Sequence, residues 1–230
     1  MRKLRLKDRT RLVLLNFGRR MTLKQMANVN SIHSYLELGY WLSHEMPGGP
    51  PRVVGNDEAL FSIALSNIKG ERPLYLEFGV WQGRSMRWWS RNLRQPAAKL
   101  IGFDSFQGLP SDWRPGLEVG TFATDGPPSI ADDRVSFQVG WFDDTLRNFS
   151  MPDHDQLIIN IDSDLYSSAA TVLKWAEPYL KPGTLLYFDE FPDRDHEMRA
   201  YKELLESSRY EFRPIAFASG GIHWLFEVVG

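Results

Sequence analysis

The sequence lacks cysteine altogether, which excludes disulfide bonds and thiolate-bound metals from all of its 230 residues. It also lacks any apolar run near the roughly 20 residues that a membrane-spanning helix needs. No small-residue cleavage site follows the short apolar piece at residues 12–15, so a secretory signal is not expected. These absences favour a reducing compartment and no membrane span, and we expect a cytoplasmic protein.

An excess of charge of one sign is lacking too, because the formal net charge is −2 and charged residues make up 24% of the chain. With 43% hydrophobic residues, the composition is that of an ordinary globular protein, and no nucleic-acid partner is expected. The first 20 residues differ, with eight Arg or Lys against one Asp. Such a segment could contact anionic lipid or nucleic acid, but a solvated helix or a subunit contact is the preferred interpretation.

The chain divides into a helical extension with a linker over residues 1–55 and one domain over 56–230. A Pro/Gly-rich break at residues 47–51 ends the extension. From residue 73 onward strands and helices alternate, which predicts a mostly parallel sheet with helices on both faces. The last two strands, joined through Gly220-Gly221, read as an antiparallel hairpin. A loop over about 105–130 is long enough to be functional or mobile.

Two apolar runs each end in a pair of acidic residues. Residues 157–161 lead into Asp162 and Asp164, and residues 184–188 lead into Asp189 and Glu190. Continuous apolar runs are typical of buried parallel strands, whose carboxyl ends hold ligands. Four carboxylates gathered there would repel one another, and a cation, shared protons or divergent side chains would relieve the repulsion. We take the cation as the hypothesis to test.

A glycine-containing turn follows the first strand of the alternating region. Gly79 and Gly83 allow a tight turn and close approach of a ligand, and the next helix begins there. Asp104 ends the following strand, where an acid typically binds ribose hydroxyls. The full G-x-G-x-x-G pattern is absent, which argues against a nicotinamide cofactor and leaves adenosine binding open. Two ordinary turn glycines are the alternative.

Glu77 is the one charge in its apolar strand and therefore needs a partner. A cationic amine on the ligand would supply one, and a salt bridge to Arg84 is the alternative.

Taken together and in order, these motifs resemble those of S-adenosylmethionine-dependent methyltransferases of the seven-strand class. More narrowly, they are similar to the macrocin O-methyltransferase family of metal-dependent sugar O-methyltransferases. The resemblance covers about residues 70–230. The matching segments are Leu76-Glu77-Phe78-Gly79-Val80-Trp81, Phe103-Asp104-Ser105-Phe106-Gln107-Gly108-Leu109-Pro110, Gly140-Trp141-Phe142-Asp143-Asp144-Thr145-Leu146, Ile161-Asp162-Ser163-Asp164-Leu165-Tyr166 and Asp189-Glu190.

The resemblance implies an α/β fold with a doubly wound, seven-stranded, mostly parallel sheet and a C-terminal antiparallel hairpin, after an N-terminal helical extension. It implies methyl transfer from S-adenosylmethionine to a hydroxyl of a sugar or glycosylated small molecule, with possible homodimerisation through the N-terminal region. The cofactor residues would be Glu77, Gly79, Gly83, Asp104, Ser105, Gly140, Trp141 and Asp162, with Trp141 stacking on adenine.

The family's metal and base positions also carry over. Asp162, Asp189 and Glu190 would hold Mg²⁺, although the family usually has Asp-Asp where this chain has Asp189-Glu190. Asp164 would be the general base, with a helix cap before Tyr166 as the alternative. His196 could contact the substrate or act as a second base, but such a histidine is more often a surface residue.

Several alternatives remain open from the residues alone. Trp113 and Phe122 could stack on a sugar ring or simply pack, and Trp81 could face a sulfonium or belong to the core. A metal-independent methyltransferase would use only Asp164 or His196 as its base. A non-catalytic module would hold an adenosyl ligand or a partner protein, with the acids as a solvated rim. A nicotinamide dehydrogenase is the least favoured.

Overall fold

The computed structural model describes residues 6–44, 51–218 and 220–230, with the Leu6 side chain left aside. Most of the predicted Pro/Gly break and the first basic residues lie outside these ranges. The helices are α1 (Leu6–Gly18), α2 (Leu23–His44), α3 (Asp57–Ser66), α4 (Arg84–Asn92), α5 (Phe142–Thr145), α6 (Tyr166–Ala176) and α7 (Glu197–Ser207). The strands are β1 (Arg52–Val54), β2 (Pro73–Phe78), β3 (Lys99–Asp104), β4 (Val135–Val139), β5 (Gln156–Ile161), β6 (Leu185–Phe188), β7 (Glu211–Ala218) and β8 (Trp224–Val229).

One sheet runs through the molecule in the order β1-β7-β8-β6-β5-β2-β3-β4. Strands β2 to β6 are parallel, and β8 is antiparallel to both β6 and β7. The predicted fold class, including the C-terminal hairpin, is confirmed. The structure adds an eighth strand, because β1 pairs in parallel with β7 at one edge. The proposed domain boundary at residues 55/56 leaves this short strand on the side of the extension.

The sheet is covered on both faces, as continuous apolar strands require. Every residue of β2, β5 and β6 is buried. On one face α6 and α7 contribute Val172 and Tyr201 to the core, and on the other α3 and α4 contribute Phe61 and Trp89. The predicted cap of α3 is present, because Asn56 accepts a hydrogen bond from the Ala59 amide at 2.9 Å. This packing holds the carboxyl ends of the parallel strands at one edge.

The N-terminal helices are attached through α2. Trp41 is buried against Phe191 and Tyr201, and Glu37 pairs with Arg194 and Lys202 of the segment after β6. By contrast, none of the side chains described for residues 7–18 of α1 is buried. Within the described ranges, no helix is both long and apolar enough to cross a membrane.

Candidate functional site

A cavity of about 510 Å³ opens at the carboxyl ends of β2, β3, β5 and β6. This is the edge at which open parallel sheets bind ligands. Most of the predicted site residues meet there. Those lining the cavity are Gly79, Asp104, Ser105, Gly140, Trp141, Asp162, Asp164, Asp189 and Glu190.

Gly79 has a structural requirement that spacing alone did not reveal. Its φ is +94°, and a Cβ atom there would lie 1.7 Å from the backbone oxygen of Asp162. The Gly79 amide donates to the Phe103 carbonyl, and the Asp162 amide donates to the Phe78 carbonyl. Gly79 therefore brings the ends of β2 and β5 together. Gly83, at φ +72°, lies against Pro128 and begins α4.

The Asp104 carboxylate accepts hydrogen bonds from backbone amides of the two loops that follow β2 and β3. One carboxylate oxygen accepts from the amides of Val80 and Trp81, both at 2.8 Å, and the other accepts from the Phe106 amide at 2.7 Å. Asp104 thus fixes the glycine turn against the end of β3. It still lines the cavity, and its predicted ribose contact remains a prediction.

Glu77 lies behind the cavity wall rather than in it. Its carboxylate accepts hydrogen bonds from the hydroxyls of Tyr75 and Ser85, each at 2.6 Å, and Ser85 lines the cavity. The alternative salt bridge to Arg84 does not form, because Arg84 pairs with Asp57. Burial raises the pKa of Glu77 to about 7, although both hydroxyl bonds favour its ionised form.

Asp162 and Asp164 face the cavity without a hydrogen-bond or ion-pair partner among the described residues. Burial, together with Asp189 and Asp164, raises the pKa of Asp162 well above its ordinary value. Burial, together with Glu190 and Asp189, raises the pKa of Asp164 to about 7. The crowding of carboxylates expected from the two strand ends is therefore present.

The other two acids have partners of their own. Asp189 Oδ1 lies 2.9 Å from His223 Nδ1 and accepts from the Tyr187 hydroxyl at 3.2 Å. Glu190 Oε1 lies 3.4 Å from a guanidinium nitrogen of Arg114. In the described parts of the chain, no group of three His, Asp or Glu side chains is arranged so that it could hold a metal ion. The all-oxygen donor set fits Mg²⁺ in its chemistry, but Asp189 and Glu190 would have to exchange partners to converge.

Asp164 does not cap the following helix. The N-cap residue of α6 is Leu165, whose side chain makes no capping hydrogen bond, and the first amide of the helix, that of Tyr166, donates to His196 instead. Asp164 instead has a left-handed backbone, with φ at +59°. A non-glycine residue held in this conformation carries strain of about 1–3 kcal/mol. The carboxyl group of Asp164 lines the cavity, and the first amide of α6 donates to His196, so the helix-cap alternative is wrong.

His196 lies outside the group of side chains that line the cavity. Its Nδ1 atom accepts from the Tyr166 amide at 3.1 Å, and its ring lies edge-on to Trp113 at 6.3 Å. A neutral imidazole that accepts at Nδ1 carries its proton at Nε2. The Nε2 atom of His196 is therefore a hydrogen-bond donor. A donor suits a contact with an oxygen of the methyl-accepting substrate better than a role as general base.

The aromatic and small residues of the predicted cofactor site are in place. Trp141 is partly exposed and lines the cavity directly after β4, and Gly140 before it has a φ of +146°. The Ser105 hydroxyl accepts from the Gln107 amide at 3.1 Å. Stacking of Trp141 on adenine stays a prediction.

The long loop is ordered by its own backbone. Leu109 and Thr121 share an amide-to-carbonyl bond of 2.8 Å, and the Thr124 amide donates to the Phe106 carbonyl at 3.0 Å. The loop carries Trp113 and Phe122 into the cavity wall, where Phe122 meets Trp81 edge-to-face at 5.6 Å between ring centroids.

Two functional neighbours escaped the sequence reasoning. Glu197 is fully buried and accepts from the Glu190 amide at 3.0 Å, and its place on the apolar face of α7 was the available signal. His223 reaches Asp189 from the turn between β7 and β8. No sequence signal identifies it, because only the return of the antiparallel hairpin brings it to this edge.

Comparisons with known proteins agree with this geometry. A family model described as a methyltransferase domain matches residues 76–191. A tetracenomycin-rhamnoside 4'-O-methyltransferase of Streptomyces olivaceus is 29% identical over 181 residues, which cover 63% of this chain and 69% of that protein. The mycinamicin III 3''-O-methyltransferase of Micromonospora griseorubida is 30% identical over 139 residues. This match covers 50% of this chain and 54% of that protein.

Two solved structures of CalS11 share the fold. One describes it as a calicheamicin methyltransferase and has a TM-score of 0.58 at 21% identity. The other describes it as a TDP-rhamnose 3'-O-methyltransferase and has a TM-score of 0.51 at 19% identity. Each match covers 74% of this chain and 77% of CalS11.

Proposed function

The chain belongs to the methyltransferase-domain family and is an S-adenosylmethionine-dependent O-methyltransferase, and we propose that it methylates a hydroxyl of a sugar within a small-molecule glycoside. Both curated relatives are named as O-methyltransferases that act on glycosylated natural products. We also propose that it belongs to the macrocin-type subset, whose motif order it shares. A cytoplasmic location stays part of this proposal.

The observation that carries the proposal is a pair of carboxyls in the cavity beside the Gly79 turn, Asp162 and Asp164, which have no partner among the described residues. In the reaction, the acceptor oxygen attacks the methyl carbon, the carbon–sulfur bond breaks, and S-adenosylhomocysteine leaves. The hydroxyl proton passes to Asp164, which has no competing hydrogen bond among the described residues. A placed base contributes on the order of 10²–10⁴ in rate.

Calorimetry and a mass-spectrometric search for a single added methyl test the proposal. S-adenosylmethionine should bind, and nicotinamide cofactors should not. Asp164→Asn should lose about 10²–10⁴ in turnover while cofactor affinity is retained, and exposed Asp144→Asn should leave both unchanged. An Asp164→Asn enzyme with full turnover would remove Asp164 as the base, and absence of any methylated acceptor would favour the non-catalytic module.

We propose that Asp162, Asp189 and Glu190 hold Mg²⁺ when it is bound. The cation would lower the pKa of the acceptor hydroxyl and fix its direction. The concentration of oxygen donors in one cavity supports this assignment.

The metal-independent alternative has its own supporting observation, the pairing of Asp189 with His223 and of Glu190 with Arg114. EDTA separates the two. Loss of activity that Mg²⁺ restores supports the metal site, and unchanged activity supports the alternative. Asp162→Ala should abolish any response to metal.

We also propose that a second copy of the chain covers α1 and the outer part of α2. Exposed apolar side chains occupy all sides of α1, and an isolated helix of 13 residues is marginal in water. Ten apolar side chains of α1 and α2 leave about half or more of their surface exposed, which amounts to an apolar area on the order of 1,000 Å². A standard protein–protein interface buries about 800 Å² on each partner. The ten side chains are Leu12, Val13, Leu14, Leu15, Phe17, Leu23, Met26, Val29, Ile32 and Leu36.

Sedimentation equilibrium tests this surface. The protein should be a dimer, Leu14→Glu with Phe17→Glu should make it a monomer that still binds cofactor, and Val119→Glu on the long loop should stay dimeric. A wild-type monomer would refute the dimer, and monomer that binds anionic vesicles through its basic N-terminus would replace it with a membrane contact.

A further inference from the structure

We infer that the side chains of Asn160 and Ser85 bind the ammonium group at the methionine end of S-adenosylmethionine and connect it to buried Glu77. Asn160 and Ser85 both line the cavity. Glu77 is fully buried and does not line it, so a ligand can act on Glu77 only through neighbours such as these. The acceptor and the metal proposed above play no part in this contact, so it can be tested apart from them.

Asn160 presents an unsatisfied hydrogen-bond acceptor at the cavity wall. Its side chain is 1% exposed, and its Oδ1 atom has no hydrogen-bond partner among the described residues. Its Nδ2 group, by contrast, donates to the Tyr75 hydroxyl at 2.9 Å. A buried acceptor that lacks a donor lowers stability, and such atoms are rare in folded proteins. We therefore expect a ligand in the cavity to supply the donor.

The charge of Glu77 fixes which end of the Asn160 amide faces the cavity. Ionised Glu77 accepts from the Tyr75 hydroxyl at 2.6 Å, and a hydroxyl has only one proton to donate. The Tyr75 oxygen therefore accepts from the NH₂ group of Asn160, which leaves Oδ1 as the free atom. Ser85 is arranged in the same way, because it donates its one proton to Glu77 at 2.6 Å and its oxygen is left to accept.

Two acceptors backed by a carboxylate suit a cation that carries several hydrogen-bond donors. Glu77 and Asn160 are paired directly between β2 and β5, so their side chains lie side by side on one face of the sheet. The hydrogen bonds that Glu77 accepts from Tyr75 and Ser85 come from neutral hydroxyls, which leave its charge without a counter-ion. An ammonium group supplies the opposite charge and three N–H donors, whereas a ribose hydroxyl supplies one donor and no charge.

The order of the strands places this contact at the methionine end of the cofactor. Trp141, which is proposed to stack on adenine, follows β4, and Asp104, where the ribose is expected, ends β3. The next strands along the sheet are β2 and β5. Asn160 lies near the end of β5, and Ser85 lies in the first turn of α4, which follows β2. A cofactor that extends along this edge from Trp141 therefore brings its amino-acid end to Asn160.

The contact couples cofactor binding to the charge of Glu77. Because burial raises the pKa of Glu77 to about 7, the free protein holds a proton there at lower pH. An ammonium group at Asn160 and Ser85 favours the ionised form, so binding should release this proton and should strengthen as pH rises to about 7. The other titratable groups that interact with Glu77 are Tyr75, Asp104 and Asp162, and Arg84 at the start of α4 pairs with Asp57.

Two ligands that differ only in the ammonium group test the contact. S-adenosylhomocysteine and its deamino analogue, which keeps the carboxylate, are titrated by calorimetry in MgCl₂. Asn160→Leu should weaken S-adenosylhomocysteine binding about tenfold to a hundredfold and leave the analogue unchanged. Ser85→Ala should act in the same direction to a smaller degree, and Ser62→Ala, at an exposed position of α3, should change neither ligand.

Equal losses for the two ligands would overturn the inference, because an ordered water at Asn160 would give that result. If Asn160→Leu fails to fold, the same comparison with Ser85→Ala decides.

The pH dependence of the two affinities supplies a second arm. Between pH 5.5 and pH 7.5 the preference of the wild type for S-adenosylhomocysteine over the analogue should rise roughly tenfold. Glu77→Gln should abolish this rise, because its amide does not titrate. A flat preference in the wild type, or a rise that persists in Glu77→Gln, would overturn the inference and leave the proposed acceptor and base intact. A protein that binds neither ligand would instead refute the assignment of the cofactor.

Discussion

Replacing Glu77 by Gln should change how the stability of the protein depends on pH. Glu77 has no exposed surface, and its pKa rises from an ordinary 4.5 to about 7 because burial penalises the carboxylate. The folded state therefore holds a proton on Glu77 that the unfolded chain has already released. Such a group stabilises fully below the unfolded pKa, and the contribution is lost as pH rises from about 4.5 through about 7.

The magnitude follows from the shift. The shift over this interval gives about 3 kcal/mol in all, most of which falls between pH 5 and pH 8. The amide of Gln does not ionise, so the variant lacks this contribution to the slope. It also loses one of the two carboxylate oxygens that accept from the Tyr75 and Ser85 hydroxyls, at a cost of about 1 kcal/mol that is the same at both pH values.

Urea unfolding of both proteins at pH 5 and pH 8 measures the difference. Relative to wild type, Glu77→Gln should gain about 2–3 kcal/mol of unfolding free energy between the two pH values, with unchanged m-values. The other crowded acids are common to both proteins and largely cancel, with the exception of Asp162, whose pKa the Glu77 charge also raises. Glu206→Gln, at an exposed position of α7, should show no such gain. An equal pH slope in wild type and Glu77→Gln would refute the assignment of a proton to buried Glu77.

Three other substitutions test packing and pairing. Gly79→Ala should abolish folding because its Cβ would meet the Asp162 carbonyl, whereas Gly116→Ala, also at positive φ but in open space, should cost only about 1–2 kcal/mol on urea unfolding. Asp132→Asn should cost about 1.5–3 kcal/mol at pH 7, because hydrogen bonds from Arg134 hold the pKa of Asp132 below its usual 3.8. This stabilisation is present above pH 3.8 and is lost as pH falls through the lower pKa that Asp132 has in the folded protein. The stabilities of wild type and Asp132→Asn should therefore converge in acid. Equal stability of the two proteins at pH 7 would contradict a stabilising pair of Asp132 and Arg134. Trp41→Ala should cost about 3–5 kcal/mol and expose α2 to trypsin, whereas Tyr40→Ala should do neither.

The fold was predictable because its signals are local. Strands β5 and β6 are continuous apolar runs, and the Asn56 cap and the hairpin glycines act within a few residues. The meeting of the acid pairs at one edge follows from parallel pairing of those two strands. The side chains that pair with these acids could not be predicted from the strand pattern. Asp189 meets His223, and Glu190 meets Arg114, across 34 and 76 positions of sequence.

Glu77 illustrates the same limit from within one motif. Its need for a partner was deduced from one charge in an apolar strand, and the partners that the structure shows are two hydroxyls, while a contact with a ligand amine stays a prediction. Tyr75, two residues away on the same strand, was one of them. A periodicity argument places both side chains on one face, but it does not say that the Glu77 carboxylate lies behind the cavity wall. That position depends on how Ser85 at the start of α4 packs over the strand.

The unfavourable features of the described fold are concentrated where ligands are proposed to bind. Among the described residues, the four non-glycine residues with positive φ lie in the loops after the strands at the carboxyl edge, and they are Trp81, Phe106, Phe122 and Asp164. Two unpaired carboxyls, Asp162 and Asp164, face the same cavity. Each strained residue costs about 1–3 kcal/mol, and such costs persist only where the surrounding structure enforces them. Because every residue of β2, β5 and β6 is buried, the sheet supplies that enforcement, and its carboxyl edge stays preorganised before any ligand arrives.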